Sequence, residues 1–104
     1  MDEVIFEVID KTGRKIRLTK TQFKHIIRHK GMENEIEKIK ETLINPSKII
    51  PHETGELYDY YNYYKNRKQK AKLLQAIVKY LNGNGFVIAS YFVRYISTWK
   101  EKWK

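Results

Sequence analysis

The chain has no cysteine among its 104 residues and only two prolines. Without cysteine, the sequence excludes a disulfide scaffold and any thiolate-bound zinc or iron–sulfur site. No apolar run approaches the roughly 20 residues of a membrane-spanning helix. The start, Met1-Asp2-Glu3, lacks the basic-then-apolar pattern of a secretion signal. We therefore expect residues 1–104 to form one soluble domain in the cytoplasm, without a membrane partner.

Acidic residues are scarce in the last part of the chain. Residues 65–104 contain ten lysines and arginines and one acid, Glu101, whereas residues 1–64 contain eleven of each sign. The net charge of +9 is therefore carried by the last forty residues. Such asymmetry favours binding of RNA or another nucleic acid. The alternative is a lysine-rich surface that only keeps the protein soluble.

The first half of the chain predicts a β-hairpin followed by two helices within residues 19–45. The hairpin covers residues 1–18, because apolar residues alternate with basic ones after a glycine-containing turn. Thr19 and Gln22 match a capping box, which starts a helix expected to end near Lys30. Apolar residues at helical spacing predict the second helix from Glu33 to Ile44.

Three strands are predicted in residues 57–96, over 57–64, 73–80 and 85–95. Asn-Gly at positions 82 and 83 is a strong hairpin signal, and the basic loop 65–70 must be solvated. These short links give an antiparallel three-stranded meander. The predicted fold class is α+β: an N-terminal β-hairpin, two helices, then the meander, with the helices on one face. Residues 97–104 form a basic tail with two tryptophans.

Two histidines are the first candidates for chemistry. His25 and His29 are four residues apart, so on one helix their rings lie side by side, away from the apolar face. Histidine titrates near neutral pH, and two of them supply the base and the acid of a metal-free phosphodiester cleavage. The alternative is a pair of ordinary exposed helix residues. Zinc is disfavoured because no third ligand is evident, and no cofactor is expected.

The second half of the chain offers aromatic, basic and hydroxyl side chains. Tyr60 lies in a tyrosine-rich strand, whose rings belong to the core or stack on bases. Lys79 and Arg94 can neutralise phosphate charge, and Ser90 is a hydroxyl in an apolar strand that faces either the core or a ligand. The sequence contains no P-loop, nucleophile elbow or dinucleotide-binding motif, so NTPase, serine hydrolase and Rossmann chemistry are set aside.

The chain resembles a known family at several of these residues. Four segments carry the resemblance: His25-Ile26-Ile27-Arg28-His29, Thr42-Leu43-Ile44-Asn45-Pro46, Ile77-Val78-Lys79 and Gly85-Phe86-Val87-Ile88-Ala89-Ser90-Tyr91. Over residues 20–103 they are similar to the PBECR group, the phage-associated barnase/EndoU/colicin/RelE-like nuclease domains. The resemblance implies a barnase/RelE-like layered domain and a small metal-independent endoribonuclease, with its site on the concave sheet face.

The resulting hypothesis is RNA cleavage that leaves a 2′,3′-cyclic phosphate. The candidate catalytic residues are His25, His29, Lys79 and Ser90, and the candidate substrate-binding residues are Arg28, Tyr60, Tyr91 and Arg94. The chain departs from the family pattern twice: Lys30-Gly31 stands in place of Pro-Glu, and the Ser90 hydroxyl comes one position later than in Thr-Ala-Tyr.

Two further hypotheses remain open at this point. The same fold can serve as a catalytically inactive module that binds nucleic acid or protein, and the missing Pro-Glu favours this alternative. A toxin-like nuclease held silent by an antitoxin-like protein partner is the third.

Overall fold

The computed structural model describes residues 2–53 and 55–96. In these ranges it has six strands, Val4–Ile9 (β1), Lys15–Thr19 (β2), Lys48–Pro51 (β3), Leu57–Tyr63 (β4), Leu73–Leu81 (β5) and Asn84–Val93 (β6). The helices are Lys20–Ile26 (α1) and Ile36–Ile44 (α2). The α+β class is confirmed, and the predicted tail lies outside the described residues. Neither of these helices is long and apolar enough to cross a membrane.

The strands form one sheet in the order β1-β2-β6-β5-β4-β3. The predicted meander β4-β5-β6 is present. The prediction of a sheet with only three strands was wrong, because further strands pair with both edges of the meander. On one side, residues 15–17 of β2 pair in parallel with residues 84–86 of β6. On the other side, residues 48–51, which lie between the predicted helices and the predicted meander, form the edge strand β3 against β4.

The turn between β5 and β6 has the predicted geometry. Asn82 and Gly83 have φ angles of 52° and 81°. Positive φ at both central residues is the signature of a type I′ turn, whose twist matches that of the strands it joins. This turn sets the register of the longest hairpin in the sheet.

A β-bulge interrupts the alternation of β6. Ile77 pairs with Ala89 and Val78 pairs with Val87, so Ile88 is the extra residue. Val87 and Ser90 are three positions apart, yet both are buried on the face that the helices cover. The simple two-residue alternation therefore does not apply across this strand.

The hydrophobic core lies between the helices and one face of the sheet. It joins helix residues such as Ile39 and Leu43 to strand residues such as Leu74, Ala76 and Val78. Full burial of each large aliphatic side chain stabilises the fold by about 1.5–3 kcal/mol. The helices are therefore fixed on this face, and the opposite face and the sheet ends are left to carry other functions.

Helix α1 begins as predicted and ends earlier. The Thr19 hydroxyl oxygen accepts a hydrogen bond from the Gln22 backbone N–H at 3.4 Å. The helix ends at Ile26, not near Lys30, and is followed by tight turns. The chain reverses at Gly31, which has a φ of 89°, and buries the next side chain, Met32, in the core. The region that sequence periodicity assigned to one helix is thus a helix and a turn, and α2 likewise starts later than Glu33.

Candidate functional site

The ring of His29 stacks on the ring of Tyr91. Their centroids are 4.9 Å apart, with 24° between the ring planes. His29 is exposed in the turn after α1, and its backbone N–H donates to the carbonyl oxygen of Ile26 at 3.1 Å. The stack fixes an accessible imidazole at the edge of β6, where it can meet a ligand.

A cavity of about 290 Å³ adjoins this stack. Its lining residues include His29, Tyr91, Lys30, Arg67 and Phe92. The Arg67 guanidinium carbon lies 3.5 Å from the centroid of the Phe92 ring. Two cations and two aromatic rings therefore line the cavity together with the imidazole, a combination that suits an anionic aromatic ligand such as a nucleotide.

Arg67 is held in place by its own loop. Its Nε donates to the carbonyl oxygen of Ala71 at 2.9 Å, and the Lys72 ammonium donates to the carbonyl oxygen of Arg67. Most of the basic loop 65–70 is exposed, as predicted, but Arg67 is half-buried. No local pattern in the sequence distinguishes this arginine from the basic residues around it.

Of the eight predicted site residues, the structure brings His29 and Tyr91 into contact. His25, in the last turn of α1, and Arg28, in the turn that follows, are exposed close by along the chain. Arg94 is exposed just beyond the end of β6. Because α1 ends at Ile26, His25 and His29 do not form the helical pair that their spacing predicted.

Lys79 lies away from the His29–Tyr91 stack. Gln75, the partner of Tyr91 in β5, is four residues from Lys79, which corresponds to about 13 Å along the strand. Lys79 instead lines a different cavity, of about 360 Å³, beside Phe86 and Ile88. It therefore has no place at a reaction centred on His29.

Ser90 and Tyr60 are buried side chains on the helix-covered face. The Ser90 hydroxyl donates to the carbonyl oxygen of Gln75 at 2.9 Å. The Tyr60 hydroxyl donates to the carboxylate of Asp10 and is also hydrogen-bonded to the Tyr80 hydroxyl. Neither side chain reaches the surface, so neither is part of the candidate site. For Ser90, the bulge at Ile88 determines this orientation.

Asp10 is the centre of a buried polar cluster that the sequence analysis missed. Besides the two tyrosine hydroxyls, its carboxylate accepts from the Thr12 hydroxyl and from the backbone N–H of Thr12 and of Arg14. Burial raises the pKa of Asp10, but the hydrogen bonds from Tyr60, Thr12 and Arg14 outweigh it, so the pKa lies below its usual value. This cluster ties the first hairpin to the centre of the sheet.

His52 and Asp59 form a second buried pair, which was also missed. The His52 Nε2 and the Asp59 Oδ1 are 2.8 Å apart, and both side chains are almost fully buried. Burial together with the Asp59 charge raises the pKa of the neighbouring Tyr61. The pair connects the segment after β3 to β4. Nothing in the spacing of the two residues indicated that they meet.

Comparison with known protein families gives a match. The family model described as phage-Barnase-EndoU-ColicinE5/D-RelE like nuclease2 (PBECR2) matches residues 2–103, the whole chain. No curated protein and no solved structure matches the sequence. The match includes the N-terminal hairpin as well as the segments on which the resemblance rested. In the part of the chain that the structure describes, no group of three or more histidine, aspartate or glutamate side chains is arranged to hold a metal ion.

Proposed function

Because the chain belongs to the phage-Barnase-EndoU-ColicinE5/D-RelE like nuclease2 family, we propose that it is a metal-independent endoribonuclease with its site beside the His29–Tyr91 stack. The observation that carries this proposal is the exposed His29 ring, held on an aromatic ring at a cavity that Lys30 and Arg67 also line. An oriented imidazole and nearby cations are the groups that such a cleavage requires.

The chemistry follows from the groups at the cavity. A base takes the proton of the ribose 2′-hydroxyl, the resulting oxygen attacks the adjacent phosphorus, and an acid protonates the departing 5′-oxygen. The products are a 2′,3′-cyclic phosphate and a 5′-hydroxyl. His29 takes one of the two proton-transfer roles, and the exposed His25 is the candidate for the other. Lys30 and Arg67 stabilise the negative charge that accumulates on the phosphate.

The remaining accessible candidates have supporting roles in this proposal. Tyr91 orients the imidazole of His29 by stacking, and Arg28 contacts the substrate backbone from the same turn. Lys79 is assigned to a flanking nucleotide, because it lies about 13 Å along β5 from Gln75, the partner of Tyr91. Arg94, just beyond the end of β6, is also assigned to a flanking nucleotide.

The test is cleavage of a labelled single-stranded RNA in the presence of EDTA. We expect the parent protein to cut the RNA and leave cyclic phosphate ends. His29→Ala should lower kcat by about 10²- to 10⁴-fold, the usual contribution of a general acid or base. Lys11→Ala is the matched control, because Lys11 is an exposed residue of the β1–β2 turn, at the opposite end of the sheet. Parent-like cleavage by His29→Ala, or loss of all activity in EDTA, would contradict the proposal.

One observation favours a second function, the binding of nucleic acid without cleavage. His25 and His29 lie on different elements, so their spacing along the chain does not ensure that they act together. A binding module retains single-stranded RNA at low salt and leaves it uncut. That result, obtained with folded protein, would replace the nuclease proposal with the binding function.

A further inference from the structure

A second and larger cavity adjoins the candidate site. Its volume is about 510 Å³, and it lies between α2 and the loop that joins β4 to β5. The residues that line it are Lys38, Glu41, Tyr63, Tyr64, Lys65, Asn66 and Arg67. Because Arg67 also lines the cavity beside His29, one arginine borders both spaces.

Aromatic contacts continue from one cavity to the other. Tyr64 packs edge-on against Phe92, with ring centroids 6.3 Å apart and 79° between the planes. Phe92 lines the cavity beside His29, and the guanidinium of Arg67 lies over its ring. A wall made of Arg67, Tyr64 and Phe92 therefore separates the two cavities, with Tyr64 on one side, Phe92 on the other and Arg67 on both.

This wall is held rigidly by hydrogen bonds. The Tyr64 hydroxyl donates to Glu41 Oε1 at 2.6 Å, and burial together with this contact raises the pKa of Tyr64 to about 12. Its hydroxyl therefore keeps its proton at neutral pH. The backbone N–H of Tyr64 donates to the Lys72 carbonyl oxygen at 2.8 Å, and that of Arg67 donates to the Tyr64 carbonyl oxygen at 3.1 Å. A preformed wall reduces the ordering cost of binding.

The accessible groups of the second cavity suit a base and its phosphate. Tyr63 is 56% exposed, so its ring is accessible to a ligand in this cavity. Lys65 and Arg67 supply two cations, whereas the Lys38 ammonium is ion-paired with Glu35 at 3.3 Å. The carboxylate that lines the cavity, Glu41, already accepts from Tyr64. Proteins bind single-stranded nucleic acid by stacking its unpaired bases on aromatic side chains and by contacting its phosphates with nearby basic side chains.

We propose that this second cavity is a subsite for nucleotides flanking the cleaved bond, and that the preferred ligand is therefore single-stranded. This inference rests on the proposed function, because it assumes that nucleic acid is the ligand of both cavities. One base stacks on Tyr63, and Lys65 and Arg67 contact the phosphates that lead from it to the site at His29. A duplex does not present its base faces, so it binds more weakly at this surface.

The test uses a fluorescein-labelled single-stranded DNA oligonucleotide. It lacks the 2′-hydroxyl and cannot be cut by the proposed reaction, so fluorescence anisotropy measures binding alone. We expect Tyr63→Ala to weaken binding about fivefold or more, the lower limit for loss of one base–aromatic stack. Tyr63→Phe should bind like the parent, because it keeps the ring. Tyr95→Ala is the matched control, since Tyr95 is also exposed but is not among the lining residues of either cavity.

Three results would overturn the subsite. One is Tyr63→Ala binding as tightly as the parent, with thermal unfolding showing that both are folded. Another is equal affinity for the single strand and for a duplex of the same sequence. A third is displacement of the oligonucleotide by polyglutamate as effectively as by unlabelled single-stranded DNA, which would show a surface that recognises charge alone. Tyr63-dependent binding of DNA in a protein that leaves RNA uncut supports the subsite and refutes only the nuclease proposal.

Discussion

Replacement of Asp10 by alanine tests the strongest structural inference, that one buried carboxylate fastens the first hairpin to the sheet. Asp10 directly follows the last residue of β1, and its carboxylate accepts hydrogen bonds from Tyr60 in β4 and Tyr80 in β5. It also accepts from Thr12 and Arg14 in its own turn. Asp10→Ala removes all these contacts, and the hydroxyls of the buried Tyr60 and the half-buried Tyr80 keep only each other as partners within the cluster.

The expected cost is large. A hydrogen bond to a charged group contributes about 1.5–3 kcal/mol, and a buried group left without a partner costs about 1–3 kcal/mol. We therefore expect Asp10→Ala to lower the free energy of unfolding by about 3–5 kcal/mol. Tyr60→Phe removes one donor and leaves the carboxylate with its other partners, so we expect a loss of about 1–2 kcal/mol.

Urea denaturation of the two single variants and the double variant is the assay. Asp10 and Tyr60 are in direct contact, so the cost of Asp10→Ala should be smaller when Tyr60→Phe is already present. Additive costs would refute the reasoning, since they would mean that the hydrogen bond between the two side chains contributes nothing. A cost below about 1 kcal/mol for Asp10→Ala would refute it as well.

The same cluster predicts acid sensitivity. The pKa of Asp10 is lower in the folded protein than its usual value, because hydrogen bonds from Tyr60, Thr12 and Arg14 outweigh the effect of burial. Its contribution to stability is therefore fully present above the unfolded-state pKa of about 3.9 and is lost as the pH falls through the lower folded-state pKa. Tyr60→Phe should reduce this dependence in urea titrations repeated across the acid range.

Two further predictions concern packing and charge. Gly85→Ala should destabilise the protein by about 1–3 kcal/mol, measured by urea denaturation, because the added Cβ would lie 2.8 Å from Tyr80 Cε1 and 3.0 Å from Ile16 Cγ1. If Lys30, Lys65 and Arg67 each contact one phosphate of a single strand, log K should fall with log salt concentration with a slope of about −2. An affinity independent of salt would refute the phosphate contacts.

The parts of the fold that the sequence predicted correctly depend on neighbouring residues. The Thr19 cap and the Asn82-Gly83 turn each follow from a few adjacent side chains whose conformational preferences are strong. The parallel pairing of residues 15–17 with residues 84–86 has no local signature, because it joins segments far apart in the chain. Strand β3 contains only four residues, too few to show an alternation.

The candidate site was predictable in residue type but not in geometry. His29 was selected for its spacing from His25 on one helix, whereas its position depends on the turn that buries Met32. The orientation of Ser90 depends on the bulge at Ile88, which a two-residue period cannot anticipate. The sequence did not indicate which face of β4 Tyr60 occupies. Tyr60 and its neighbour Tyr61 lie on opposite faces of the strand and are both buried, so burial does not distinguish the two faces.

The location of the site follows from the parallel pairing. In the described part of the chain, β2 pairs with β6 only over residues 84–86. Helix α1 directly follows β2, so it packs against β6 beyond residue 86. The turn after α1 then places His29 against Tyr91, near the end of β6. The same end of β6 pairs with the start of β5, because Val93 is opposite Leu73. The loop that precedes β5 must therefore arrive there too, and its Arg67 lines the same cavity as His29.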